Sequence, residues 1–230
     1  MSEAGTADSQ HPDALPIPDE STWEMLVDAY KKAKKESDKR DVALLERLTS
    51  SNRSGFHVDF EIRHIPGKGR GLFAAQDIPK GTCVSDDRTG RFRTEQEWRD
   101  FLALLPHDLA KESVDWVGVD DYRSGEAVYI DLSESSLLNH GFSRRSLQWW
   151  ERCFPCCTWR KVTATVEGKY FDGMWHMVAT RDLEAGEELL CDYNQCGNYN
   201  HNLPWYDVIC QEYYPGITRY DELERWCRKK

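Results

Sequence analysis

Residues 188–194 read Glu188-Leu189-Leu190-Cys191-Asp192-Tyr193-Asn194, directly after a short turn of Asp182-Leu183-Glu184-Ala185-Gly186. About fifty residues earlier stands Leu138-Asn139-His140-Gly141, and further upstream lies the glycine-rich Gly67-Lys68-Gly69-Arg70-Gly71-Leu72-Phe73-Ala74. A Gly-x-Gly-x-Gly run lets backbone approach a ligand closely, because glycine has no Cβ and tolerates unusual φ. It is not a dinucleotide fingerprint, which needs a third glycine at later spacing and then a helix, whereas Leu72-Phe73-Ala74 continues apolar and β-like. Taken singly, each segment has a plain structural reading: a tight hairpin turn, a satisfied core histidine, an edge tyrosine with a solvated hydroxyl. Their order along one chain gives them a common meaning.

Working outward from these segments, the sequence predicts a tail over 1–20, where Pro12, Pro16 and Pro18 stand among small and acidic residues and little surface can be buried to offset the entropy of ordering. A helical N-terminal extension follows over 21–55. Ser21 and Glu24 have capping-box spacing, and Trp23, Leu26, Val27 and Tyr30 share one helical face. Lys31-Lys32-Ala33-Lys34-Lys35 reads as a solvated helix face, with a nuclear address as the alternative. Leu44, Leu45 and Leu48 predict a second short helix.

From Phe56 the period changes. Phe56, Val58, Phe60 and Ile62 alternate with polar residues, which predicts a strand and the start of a compact domain over 56–195. Ala74, Asp77, Ile78, Gly81 and Val84 recur at a constant offset of 105 as Ala179, Asp182, Leu183, Gly186 and Leu189, two strand-turn-strand units with similar turn chemistry. Between them a helical insertion over about 94–111 carries Trp98, Phe101, Leu102 and Leu105 on one face and a stop at Pro106. Strands are predicted at Val128–Ile130, Leu137–Leu138, Lys161–Val166 and Trp175–Ala179, with turns at Glu167-Gly168-Lys169 and Asp172-Gly173. The fold class is therefore mostly β with α insertions. Residues 196–230 are aromatic and read as a lid with a helix from Tyr220 to Cys227.

The net charge of -10 and pI near 5.2 argue against a nucleic-acid surface, which needs clustered Lys and Arg. They suit a basic protein or peptide partner, or simply solubility. No segment approaches the ~20 apolar residues that span a bilayer, and no signal peptide is visible. No membrane partner is expected, and a nuclear or cytoplasmic location is. The eight cysteines read mostly as reduced thiols. Cys153, Cys156 and Cys157 lack a matching pair at finger spacing, so no metal is expected there.

The glycine segment, the Asn-His pair and the Glu-Leu-x-x-Asp-Tyr strand, in this order over about residues 56–195, resemble the SET-domain protein lysine methyltransferases. The resemblance implies a SET-type β-fold with a knot-like crossing, and S-adenosylmethionine as cofactor. It implies that Lys68, Gly69 and Arg70 line that cofactor, that Asn139 and His140 hold it, and that Tyr193 is the catalytic tyrosine of the methyl-transfer channel. A histone tail is the substrate class it suggests, and chromatin the setting. A lysine with a pKa of about 10.4 is almost wholly protonated at neutral pH and must lose a proton to attack a methyl group. A tyrosine hydroxyl can orient the neutral amine.

The chain also departs from the family pattern. Ser-Cys-x-Pro-Asn usually follows the Asn-His pair, where this sequence has Gly141-Phe142-Ser143-Arg144-Arg145-Ser146. A tyrosine often follows the first hairpin, where it has Asp86-Asp87. The cysteine-rich zinc module that closes the channel in many histone-directed members is missing, since Cys196, Cys210 and Cys227 are widely spaced. An aromatic lid of Trp205, Tyr206 and Tyr213 is the expected substitute. Two other readings stay open: a non-catalytic peptide-binding module on the same fold, and transfer to a non-histone or small-molecule acceptor.

Overall fold

The computed structural model describes residues 15–34, 39–66, 69–120, 127–141, 163–193 and 203–215. Helix α1 (Glu20–Ala33) begins two residues before its predicted start, because Asp19 rather than Ser21 caps it. The Asp19 carboxylate accepts the Thr22 N–H at 2.9 Å and the Ser21 hydroxyl at 2.7 Å, so the serine becomes a donor to the true cap. The predicted face holds: Trp23, Leu26, Val27 and Tyr30 are buried. Helix α2 (Lys39–Leu48) buries Leu44 and Leu48.

Lys34, read as solvated, is buried instead. Its ammonium lies 2.9 Å from Glu97 and 3.5 Å from Asp41 and donates to the Arg91 carbonyl at 3.0 Å. Asp41 also accepts from the Tyr30 hydroxyl at 2.7 Å. Removing one partner of a buried pair leaves the other desolvated and uncompensated. Lys34→Met is expected to lower stability by about 2 kcal/mol, less than the usual cost because Asp41 keeps the Tyr30 hydroxyl. Chemical denaturation of the two proteins measures it.

The β elements form three sheets among the described residues. Strands β1 (Phe60–Ile65) and β2 (Gly69–Ala74) make an antiparallel hairpin. The predicted strand from Phe56 starts only at Phe60, with Phe56 forming an isolated bridge to Ser85. A five-stranded sheet runs in the order β3 (Cys83–Asp86), β9 (Met174–Ala179), β8 (Val166–Phe171), β10 (Leu190–Cys191), β7 (Asn139–His140). A three-stranded sheet places β6 (Ala127–Asp131) between β4 (Thr89–Phe92) and β5 (Val117–Asp120). This sheet-dominated architecture with helical insertions is the predicted class.

The insertion is two helices rather than one. Thr94 caps α3 (Glu95–Ala103), and α4 (His107–Asp115) restarts after Pro106, whose ring cannot continue α3. Leu137 falls in a 3₁₀ turn (Glu134–Leu137) instead of a strand, because Ser133 caps that turn. Asp172 (φ 51°) and Gly173 (φ 82°) make the predicted hairpin turn between β8 and β9. Glu167-Gly168-Lys169, read as a second turn, lies within β8. Gly168 pairs with Met177 inside the strand, and the Trp175 ring lies 3.6 Å from where its Cβ would stand.

The two units at offset 105 clasp each other with near two-fold symmetry. Ile78 and Leu183 exchange both backbone hydrogen bonds at 2.9 Å. Asp77 accepts from the Ala185 N–H at 2.9 Å, and its counterpart Asp182 accepts from the Lys80 N–H at 2.7 Å. Gly81 donates to Ala179 O, and Gly186 to Ala74 O. Both glycines have left-handed φ, 83° and 90°, which explains their place in the repeat. The clasp carries β2 alongside the chain entering β10.

A single buried cluster unites Trp23 and Tyr30 of α1, Trp98 and Phe101 of α3, and Leu72, Ile130 and Leu183 of the β elements. Near its edge Asp131 has a raised pKa, about 8. Burial is the main cause and the neighbouring Asp87 charge adds to it. A carboxyl raised in the folded state binds more protons than in the unfolded chain between pH ~4 and ~8. Its contribution is complete below pH ~4 and lost as pH rises through about 8. Stability is expected to fall by roughly 2 kcal/mol over that window, less than the full shift implies because the residue keeps some accessible surface. Asp131→Asn should flatten this slope in denaturation series at several pH values.

Helix α5 (Pro204–Tyr213) forms part of the predicted aromatic C-terminal segment. Its aromatic residues pack on the insertion: Tyr206 donates to Val114 O at 2.7 Å, Tyr213 stacks on His107, and Tyr214 donates to Lys111 O at 3.1 Å. The predicted helix at Tyr220–Cys227 and the Cys153, Cys156, Cys157 cluster lie outside the described residues.

Candidate active site

The site grows from the parallel pairing of β7 with β10. Leu190 stands beside Asn139 and Cys191 beside His140, so two segments far apart in sequence become neighbours. Gly141 donates to Cys191 O at 2.9 Å and Leu189 donates to Leu72 O at 2.7 Å. The chain entering β10 is thus tied to the glycine strand β2, and β10 itself lies between β7 and β8. Thr165 secures it further, with its hydroxyl donating to Glu188 O at 3.1 Å and accepting from Leu190 N at 2.7 Å.

Asn139 spans the glycine strand and the Glu-Leu-x-x-Asp-Tyr segment. Its Nδ2 donates to Arg70 O at 2.9 Å and to Glu188 Oε1 at 2.8 Å. Both partners are acceptors, which fixes the amide orientation and directs Oδ1 away from them. That oxygen meets no donor among the described residues. Gly71 makes room for the crossing. A Cβ there would stand 2.7 Å from Asn139 Nδ2 and 3.0 Å from Glu188 Oε1.

His140 is buried, and its Nδ1 accepts the Tyr193 backbone N–H at 3.2 Å. The neutral ring therefore carries its proton on Nε2. Its ring centroid is 5.2 Å from that of Tyr193. Tyr193, half-buried just past β10, donates its hydroxyl proton to Leu138 O at 2.7 Å. A phenol whose proton is committed to a carbonyl presents its oxygen as an acceptor.

Four of the six site residues expected from the sequence, Gly69, Arg70, Asn139 and His140, stand on the paired segments, and Tyr193 caps them. Lys68 lies outside the described residues. Arg70 reaches the site only through its backbone carbonyl. Its buried guanidinium turns the other way, pairing with Glu112 at 2.5 Å, donating to Pro16 O and lying 5.7 Å from the Trp116 ring. Two groups were not expected. Glu188 and the Leu138 carbonyl are bound by the side chains of Asn139 and Tyr193. The signal for Glu188 was an acidic side chain beside two buried leucines, which needs a partner.

The Asp86-Asp87 pair, which stands where a tyrosine often follows the first hairpin in the family, is engaged locally. Asp87 accepts from the Thr89 N–H at 2.9 Å, and Asp86 meets His57 and His176 at 2.8 and 2.9 Å. A surface hollow lined by Asp77–Pro79 and Arg181–Glu184 lies over the clasp and includes none of the site residues.

A sheet-dominated domain whose glycine strand, Asn-His strand and the strand leading to Tyr193 meet at one place is the arrangement of a SET-type methyltransferase. The family model for the SET domain matches residues 69–194, more than half of the chain. The chain belongs to the SET-domain family, whose enzymes are in general methyltransferases that use S-adenosylmethionine. A Plasmodium falciparum protein described as a candidate histone methyltransferase is structurally similar, with 14% identity and a TM-score of 0.36 over 60% of this chain and 95% of the other. A likeness that loose carries no function across. No curated protein matches the sequence.

Proposed function

We propose that this protein transfers the methyl group of S-adenosylmethionine to the side-chain amine of a protein lysine, with a histone tail as the substrate class. The observation that carries this reading is the meeting of Asn139 and His140 on β7 with Tyr193, just past β10, beside the glycine strand. Asn139 Oδ1 suits the ammonium of the cofactor's amino-acid end, and the backbone of Gly69 and Arg70 suits close approach. Bound there, the cofactor supplies a methyl activated by a sulfonium.

Tyr193 orients the acceptor. Its oxygen accepts an N–H from the substrate amine, which directs the nitrogen lone pair toward the methyl group. The amine must be neutral at that moment, a form that exclusion of water favours. The net charge of -10 attracts a basic tail, and a histone acceptor places the work in the nucleus.

The alternative of a non-catalytic module built on an aromatic tail is less favoured, because Tyr206 and Tyr214 direct their hydroxyls to α4. Titration calorimetry with S-adenosylmethionine, followed by mass spectrometry of mixed histones incubated with protein and cofactor, tests the proposal. Binding and a new methyl on a histone lysine are expected. Binding without transfer to histones redirects the search to other acceptors, and no binding overturns the enzymatic reading.

A further inference from the structure

At the far edge of the five-stranded sheet from β7, four metal-ligating side chains converge from three parts of the chain: His57 before β1, Cys83 and Asp86 on the edge strand β3, and His176 on β9. The ligand atoms of His57, Cys83 and Asp86 all lie within 4.8 Å of one another. His176 Nδ1 lies 2.9 Å from Asp86 Oδ1 and 3.7 Å from Cys83 Sγ, and His57 Nε2 lies 2.8 Å from the same Asp86 oxygen. Cys83 and Asp86 are three apart, and in a regular strand they would face opposite ways. The pairing of β3 with β9 slips between Cys83 and Ser85. That irregularity brings the two onto one side, leaving Cys83 Sγ 3.9 Å from Asp86 Oδ1.

The hydrogen-bonding arrangement calls for a cation. His176 Nε2 faces the Phe171 carbonyl at 3.1 Å, and a carbonyl only accepts, so the ring proton belongs on Nε2. In the neutral ring Nδ1 is then a bare lone pair aimed at a carboxylate oxygen 2.9 Å away. Two acceptors at that distance repel unless a proton or a metal ion sits with them. The Phe171 ring, stacked on the imidazole at 3.7 Å, fixes this orientation. A ligating histidine held by a carbonyl on its other nitrogen is the usual outer-shell arrangement of metal sites.

We infer that His57, Cys83, Asp86 and His176 form a zinc-class metal site. Two imidazoles, a thiolate and a carboxylate are a donor set suited to tetrahedral Zn²⁺. Metal–ligand distances of ~2.0–2.3 Å put ligands about 3.3–3.8 Å apart. The separations of Cys83 Sγ from Asp86 Oδ1 and His176 Nδ1, 3.9 and 3.7 Å, already approach that spacing, and the two histidine–aspartate separations reach it if Asp86 Oδ1 retreats slightly. Four protein ligands make a closed, structural site that staples the edge strand to β9 and to the segment entering β1. His57, with its side chain 41% exposed, is the side open to solvent and to metal entry. The site is independent of the methyl-transfer reading.

The full-length protein, stripped by a chelator, should take up zinc at the site when titrated against a chromophoric competitor. Cobalt in its place should give the visible bands of a tetrahedral ion with a thiolate-to-cobalt charge-transfer band. His57→Ala should bind at least ~100-fold more weakly, beyond the upper end of the cost of losing an outer-shell partner. Cys83→Ser should lose the charge-transfer band. A Cys153→Ser/Cys156→Ser/Cys157→Ser protein should keep both zinc and band, which separates this site from the other thiols. Zinc should also raise the wild-type melting temperature and leave that of His57→Ala unchanged. Failure of the wild type to bind zinc, or equal binding and cobalt spectra in the wild type, His57→Ala and Cys83→Ser, overturns the inference. The proton then bridges His176 and Asp86.

Discussion

A Tyr193→Phe protein is expected to transfer methyl about 100-fold more slowly than wild type, a loss of ~3 kcal/mol of transition-state stabilisation. The effect is chemical rather than architectural. Phenylalanine fills the same volume, keeps the contact with the His140 ring, and leaves the backbone hydrogen bond from Tyr193 N to His140 Nδ1 in place. Only the hydroxyl is lost, and with it the 2.7 Å hydrogen bond to Leu138 O. One such bond contributes ~1 kcal/mol to folding, so the melting temperature should drop by a few degrees at most. Cofactor affinity, measured by calorimetry, should be unchanged, because the residues proposed to hold the cofactor are untouched. A slow enzyme with normal cofactor binding assigns the hydroxyl to orienting the acceptor. A variant retaining full rate would remove Tyr193 from the reaction.

That assignment was legible in the sequence only through resemblance. Nothing in the local pattern of Leu190-Cys191-Asp192-Tyr193 says that it will pair with Asn139-His140, because parallel pairing of distant segments has no short-range signature. Physical reading alone did better where the cause is local. The Trp23-Leu26-Val27-Tyr30 face, the Asp172-Gly173 turn and the offset of 105 follow from helical period, left-handed φ and matched turn residues, and all three appear in the structure. It failed where two local signals competed. Ser21 and Asp19 both suit a cap, and the carboxylate took the role. Gly168 and Gly173 both suit a turn, and only Gly173 takes the left-handed φ that the turn uses.

Lys34 shows the limit of charge patterning. The run from Lys31 to Lys35 looks uniformly solvated, yet Lys34 enters the core because α2 and α3 bring carboxylates to it. His57, Cys83, Asp86 and His176 were equally hidden. The sequence turned attention to the clustered thiols at Cys153 and to the cysteines after Tyr193, and their spacing gave no reason to expect metal. Ligands drawn from residue 57, from the irregularity in β3 and from β9 have no motif spacing, and only the paired strands assemble them.

The other large effect concerns a glycine at which the chain departs from the family pattern. Gly141→Ala is expected to cost ~3 kcal/mol of stability and to abolish cofactor binding. A Cβ at 141 would stand 2.9 Å from the Cα and N of Ala164 and 2.9 Å from Leu190 Cβ. Two of those atoms are backbone, so relief requires moving the chain rather than a rotamer, and the cost lies at the upper end for overpacking. The displaced element is β7, which Gly141 directly follows: the Gly141 N–H bonds Cys191 O at 2.9 Å, and His140 of β7 holds Tyr193. Gly71→Ala provides the contrast. There the new methyl meets Ile65 Cδ1 at 2.6 Å, Asn139 Nδ2 at 2.7 Å and Glu188 Oε1 at 3.0 Å, all side-chain ends that can turn aside. The fold should survive, with a melting temperature lowered only by the few degrees that the loss of the two Asn139 hydrogen bonds implies. The Asn139 amide should be pushed off its two acceptors, weakening cofactor binding about tenfold, the scale of one lost hydrogen bond. Melting curves and calorimetry on both variants separate the two effects. A Gly141→Ala protein as stable as wild type would mean that β7 and the Ala164 segment are not held in tight contact, and Asn139 and His140 would then lose the rigid seat on which the proposed cofactor site depends.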